Sequence, residues 1–206
     1  APAPAPTFCI CVFLTVSPIS TLFPSIIPAN TTYTWTVASN TNVTGQSAQS
    51  SPQSSISQTL TNTTNQVQQV VYTVTPTSGA QGGCVGTSFT VTVTVNPRPS
   101  ILSQTTSACS GVGFTFTPLN GSGSIVPSNT LYTWTVVDNP NVSGESDQSS
   151  GQVGVIQTLT NTTNQPQQVV FTVTSTSGSC GGGSFTLTVT VNPKPVVPPQ
   201  VATITQ

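Results

Sequence analysis

The amino-acid sequence predicts an all-β protein made of two immunoglobulin-like β-sandwiches in tandem. Three observations carry the prediction. The chain matches itself along most of its length, its apolar residues alternate with a period of two, and no helical period of useful length occurs.

The self-match lies at an offset of 99. Tyr33-Thr-Trp35-Thr-Val37 returns as Tyr132-Thr-Trp134-Thr-Val136, and Gln58-Thr-Leu60-Thr-Asn62 as Gln157-Thr-Leu159-Thr-Asn161. Val70-Val-Tyr72-Thr-Val74 returns as Val169-Val-Phe171-Thr-Val173. A three-residue deletion then shifts the offset to 96, and the run from Phe89 to Pro99 returns from Phe185 to Pro195. Two copies of one domain follow, placed at 1–98 and 99–195, with a tail at 196–206.

Within each copy the strands declare themselves in order. Phe114 and Phe116 alternate with Thr115 and Thr117; Tyr132, Trp134 and Val136 alternate with Thr133 and Thr135; Phe185, Leu187, Val189 and Val191 alternate with Thr186, Thr188 and Thr190. Each run reads as a strand with one apolar and one hydroxyl face. Clusters of Gly, Asn, Ser and Pro separate the runs, and this spacing in roughly 95 residues suits a two-sheet sandwich. Trp35 and Trp134 are expected in the cores. Pro97–Pro99 and Pro193–Pro195 read as short stiff connectors.

This ordered set of motifs, covering roughly residues 30–97 and 100–195, resembles the PKD-like repeats of Bacteroidota surface proteins. The resemblance implies an immunoglobulin-like sandwich, usually strung in tandem in large secreted or cell-surface proteins. It implies no catalytic residues.

Composition narrows the function. There are 39 Thr, 27 Ser, 13 Asn and 17 Gln, but only five charged residues: Arg98, Lys194, Asp138, Glu145 and Asp147. His and Met are absent. Without His there is no Ser-His-Asp or Cys-His relay and no imidazole ligand. Two basic residues cannot neutralise a row of phosphates, so no nucleic-acid partner is expected. A net charge near zero gives little repulsion between copies and favours association. Lacking Met, the chain is expected to be a processed product or a segment of something longer. The uncharged stretch 8–27 is broken by Pro18 and Pro24 and lacks flanking basic residues, so no membrane insertion is expected.

No cofactor or metal is expected. Asp138, Glu145 and Asp147 share one loop region of the second repeat and would suit calcium, but the first repeat has Ala38, Gln46 and Gln49 there, so solvated loop charges are the better reading. Asn-x-Ser/Thr occurs at Asn30, Asn42, Asn62, Asn120, Asn141 and Asn161, and glycans are a further possible partner.

Five cysteines remain. Cys84 and Cys180 hold equivalent places before the last strand, while Cys109 precedes the Phe114 strand where Cys9 or Cys11 lies in the first repeat. The repeat favours Cys109–Cys180 and Cys11 (or Cys9)–Cys84, each closing a loop of roughly 70 residues and adding about 4 kcal/mol in the chain-entropy model. Such bridges need an oxidising location. The thiol left over, with Cys9 preferred, is either a buried free Cys or an intersubunit bridge.

The ends break the pattern. Residues 100–108 precede Cys109, enough for an opening strand, whereas Cys9 follows Ala-Pro-Ala-Pro-Ala-Pro, which lacks ladder donors. The first domain is therefore expected to lack its opening strand. The tail, with Val201 and Ile204, aligns with 100–108 and reads as an opening strand. Phe8, Ile10, Val12, Phe13 and Leu14 form a second possible donor, apolar on both faces. The expected function is a secreted, non-catalytic subunit of an extracellular bacterial fibril, polymerising head to tail by strand donation. The alternative is a stalk or carbohydrate-binding module of a surface adhesin.

Overall fold

The computed structural model describes residues 26–79, 83–197 and 199, with the backbone of two short strands before them. No described residue is helical, and none of the described chain forms a helix long and apolar enough to cross a membrane. The chain divides into two compact units, the main division falling between Pro99 and Ser100.

The first unit contains β1 (Thr7–Phe8), β2 (Val12–Val16), β3 (Thr32–Val37), β4 (Val43–Thr44), β5 (Gln49–Gln53), β6 (Ile56–Asn62), β7 (Gln68–Thr77) and β8 (Phe89–Val95). One sheet runs β1-β8-β7-β3-β5 and the other β2-β6-β4. Their inner faces form one core in which Tyr33, Trp35, Tyr72 and Val93 from the first sheet meet Val43, Ile56 and Leu60 from the second. The alternating residues make this possible, because successive side chains of a strand point to opposite faces. Thr34 and Thr36 thus look away from the core that Tyr33 and Trp35 enter.

The second unit repeats the plan with β9 (Gln104–Cys109), β10 (Gly113–Phe116), β11 (Thr130–Val136), β12 (Val142–Ser143), β13 (Gln148–Gln152), β14 (Val155–Thr158), β15 (Thr160–Asn161), β16 (Gln167–Ser177) and β17 (Cys180–Asn192). Its large sheet runs β13-β11-β16-β17-β9, and its smaller sheet is divided into the pairs β10-β14 and β12-β15. Phe185, Leu187, Val189 and Val191 are buried along β17 as their spacing predicts. Even the irregularities repeat: β3 slips against β5 between Tyr33 and Trp35, and β11 against β13 between Tyr132 and Trp134.

The expectation that the first sandwich lacks its opening strand is corrected. β1 lies parallel to β8 with Thr7 opposite Thr94 and Phe8 opposite Val95, as β9 lies parallel to β17. Likewise, Val12, Phe13 and Leu14 sit in β2, paired antiparallel with Leu60, Thr59 and Gln58 of their own chain. They are components of their own sandwich and not a free arm. The physical reason is the complementary edge of β6, which the apolar segment reaches without leaving the domain. Cys9, Ile10, Cys11, Val201 and Ile204 lie outside the described residues.

Candidate functional site

The residues that carry most chemistry in the sequence serve the fold. Asp147 Oδ1 accepts a hydrogen bond from the Val136 amide (2.9 Å), and Glu145 Oε1 accepts one from the Asn139 amide (3.3 Å). In the first unit Gln46 Oε1 takes the Asn40 amide at the same distance (3.3 Å), so an uncharged amide does the same work. No group of three metal-ligating side chains occurs among the described residues. Glu145 and Asp147 are clips, supplying acceptors to backbone amides at and just beyond the end of β11.

Trp35 and Trp134 are core residues, and each indole Nε1 donates to a backbone carbonyl, Ser47 (2.9 Å) and Ser146 (3.0 Å) respectively. Asn62 and Asn161, which carry the glycosylation-like pattern, are buried clamps. Asn161 Nδ2 donates to the Gln165 (2.7 Å) and Val191 (2.9 Å) carbonyls while its Oδ1 accepts from the Thr163 amide (2.8 Å). Asn62 does the same with Gln66, Val95 and Thr64. A sugar on either nitrogen would break these bonds. The sequence offers the sequon but not the burial that decides its role.

The expected Cys109–Cys180 bridge is also corrected. Cys109 has a free, exposed thiol. It lies opposite Asn192, at the far end of a strand that Cys180 begins. β17 is 13 residues long, so its ends lie about 40 Å apart at about 3.3 Å per residue. A disulfide needs Cα atoms within about 7 Å. Cys180 itself is buried and disulfide-bonded. The Cys11–Cys84 pair lies partly outside the described residues.

What distinguishes the two units is how each closes its outer edge and one end. β9 covers β17 at six successive positions, from Leu187 opposite Gln104 to Asn192 opposite Cys109. β1 covers β8 only at Thr94 and Val95, which leaves the backbone of Phe89–Val93 without a strand on that side among the described residues.

At the top of the same strand the first unit opens into a groove of about 710 Å³. Ile26, Ile27, Tyr33, Pro76, Val85 and Phe89 line it, and Ile26 and Val85 are 90% and 70% exposed. In the second unit the same end is shut. Phe185, the counterpart of Phe89, is buried edge-on against Tyr132 (centroids 6.5 Å, 88°), and Ile101 packs against that core. The Leu102 amide donates to Ser124 Oγ (3.2 Å), and Thr186 Oγ1 to Ser103 Oγ (2.8 Å).

The connection before the last strand differs too. β16 and β17 join through a two-residue turn with Gly178 at φ 57°, whereas 78–88 separate β7 from β8, with a Thr77–Val85 bridge and hydrogen bonds from the Ser78 amide to the Cys84 carbonyl (3.0 Å) and from the Gly86 amide to the Pro76 carbonyl (2.9 Å). Ile26, Ile27 and Val85 do not stand out in the sequence. Their signal is the offset change from 99 to 96, which falls at this connection.

No curated protein shows significant similarity to the chain. Among solved structures, the human desmocollin-1 ectodomain is similar at 16% identity and a TM-score of 0.32, over 84% of this chain and 36% of that one. Human mucin-like protocadherin EC1-2 is similar at 13% identity and a TM-score of 0.29, over 93% of this chain and 97% of that one. The chain thus spans about a third of the desmocollin ectodomain. The PKD-like domain family matches twice, at 15–99 and 119–195, which together take in most of the sequence and both sandwiches. The chain belongs to the PKD-like domain family, of which it carries two tandem copies.

Proposed function

We propose that the chain is a non-catalytic structural subunit of an extracellular fibril, in which copies join head to tail by adding a strand to the open edge of β8. One observation carries this reading: among the described residues β8 is paired on its outer edge at two positions, where its counterpart β17 is paired at six. Among the described residues the edge of β8 is the less paired of the two, and its twin displays the parallel strand that such an edge accepts. Such a contact joins different surfaces of the two copies and propagates into a filament unless it closes into a ring. Two supports come from composition. Five charges in 206 residues give copies little reason to repel, and disulfide bonding at Cys180 fits an oxidising compartment. A carbohydrate-binding role draws less support, because both Trp residues are buried in cores and are not offered as stacking platforms.

Electron microscopy of the native protein and of a chain lacking 196–206 tests the reading. Filaments with an axial repeat of two domains, lost in the truncated chain, are expected. Monodisperse rods in the native sample would overturn it in favour of a stalk in a longer adhesin.

A further inference from the structure

We propose that the β5 edge of the first unit and the β13 edge of the second are closed to strand addition by paired glutamines that bond the backbone of their own strand, with Pro52 as a further guard in the first unit alone. These edges are distinct from the β8 edge of the proposed assembly. β5 and β13 end the large sheets among the described residues. Ser50, Ser51 and Pro52 on one, and Ser149, Ser150 and Gly151 on the other, are exposed. An exposed edge strand is a template for another chain, and natural edges are commonly blunted with charge, above all lysine. Neither strand carries a charge, so another device is needed here.

The device is a clipped bulge. In the first unit Tyr33 lies opposite Gln53 and Trp35 opposite Gln49, so Ser50, Ser51 and Pro52 stand against Thr34 alone. In the second, Ser149, Ser150 and Gly151 stand against Thr133 in the same way. At the centre of the bulge the Ser51 amide donates to Gln49 Oε1 (3.1 Å), and Gln53 Nε2 donates to the Ser51 carbonyl (3.4 Å). Ser150 is held in the same manner by Gln148 (3.0 Å) and Gln152 (3.4 Å). A strand added there meets a backbone already bonded and a ladder thrown out of step by the bulge. Glutamine suits both roles, because its side-chain amide carries an acceptor and a donor, whereas an ionised Glu has no donor. The fourth residue of the motif differs between the units. Pro52 has no N–H and a fixed φ, which confines it to edges, while Gly151 has neither restraint. The first edge is thus closed twice, and the second by its glutamines alone.

The test compares the full-length chain with two double variants, Gln148→Thr/Gln152→Thr and Gln49→Thr/Gln53→Thr, both of which keep polar, strand-forming side chains. In the second-unit variant the Ser150 amide is expected to exchange about threefold to tenfold faster in dilute monomer, since its hydrogen bond is lost. Sedimentation velocity is expected to show this variant associating at a concentration about tenfold or more below any association of the parent chain, with Ser150 regaining protection in the associated species. The first-unit variant, where Pro52 remains, is expected to stay within about twofold of the parent. Association of the second-unit variant no stronger than that of the parent, with Ser150 exchange accelerated, would show that the clip does not guard the edge and would overturn the proposal. Equal association of both variants would trace it to the loss of glutamine and not to an unlocked edge, with the same result. The parent chain alone supplies a further check: Ser51 and Ser150 amides exchanging at the rate of an unstructured peptide would show that the clips do not form, and would overturn the proposal without recourse to any variant.

Discussion

Tyr72→Phe is expected to stabilise the first sandwich, and the repeat supplies its own control. Tyr72 is fully buried, and its hydroxyl has no hydrogen-bond partner. The equivalent residue of the second unit is Phe171, equally buried at 0% exposure. A buried hydroxyl without a partner costs about 1–3 kcal/mol. Removing it leaves a void smaller than a methyl group, whose cost is below about 1 kcal/mol. The balance is a gain of about 1 kcal/mol, or an increase in Tm of about 4–8 °C for a domain of this size.

The reciprocal change, Phe171→Tyr, is expected to lower the stability of the second unit by about 1–3 kcal/mol. Urea unfolding followed by Trp fluorescence, with Trp35 reporting on one core and Trp134 on the other, measures both effects. A loss of more than about 1 kcal/mol in Tyr72→Phe would refute the reasoning, because it would require the hydroxyl to be bonded in solution.

Further outcomes are expected elsewhere. Burial pushes the phenols of Tyr72 and Tyr132 up to about 12. Because the folded chain holds these protons more tightly than the unfolded one, their contribution to stability is complete below about pH 10 and is lost as the pH rises through about 12. An alkaline unfolding transition that moves to higher pH in the Tyr72→Phe/Tyr132→Phe double variant would show this, and an unmoved transition would count against it. Asn161→Ala orphans the buried carbonyl of Val191 and the turn around Thr163, and should destabilise its unit by about 3 kcal/mol in urea. A change below about 1 kcal/mol would mean that water replaces the clamp. Gly144→Ala should be the harsher of two glycine substitutions, because Gly144 has φ 94° and an added Cβ would collide with the Thr158 carbonyl, whereas Gly111, at φ 74°, faces open space. The expected losses are more than about 2 kcal/mol and about 1 kcal/mol respectively, and equal losses would contradict the steric account. Calcium should leave the Tm unchanged, since the Asp147 and Glu145 carboxylates are bonded to loop amides; a calcium-dependent rise would restore a metal site there.

Much of the strand plan is legible in the residue order. Apolar residues at every second position announce a strand and its buried face, so the cores around Trp35 and Trp134 follow from Tyr-Thr-Trp-Thr-Val alone. The repeat doubles that signal and sets the domain plan. Alternation is a local property, because it depends only on the geometry of one strand.

Other features depend on which strands become neighbours and in what register. Cys109 and Cys180 look like partners in the sequence because each stands beside a strand of one domain, yet the parallel ladder puts Cys109 at the end of β17 opposite to the one where Cys180 lies. The tail and the Ala-Pro segment suggest an absent strand, but β1 lies parallel to β8 with Thr7 opposite Thr94 and Phe8 opposite Val95. Asn161 has the pattern of a surface sequon, whereas the fold sets the Val191 carbonyl 2.9 Å from its amide. Register and burial are long-range properties, fixed by packing across the two sheets. The Thr-and-Val alternation of β8 and β17 does not say which strand pairs with either edge, and only the tertiary structure sets β1 parallel to the one and β9 parallel to the other.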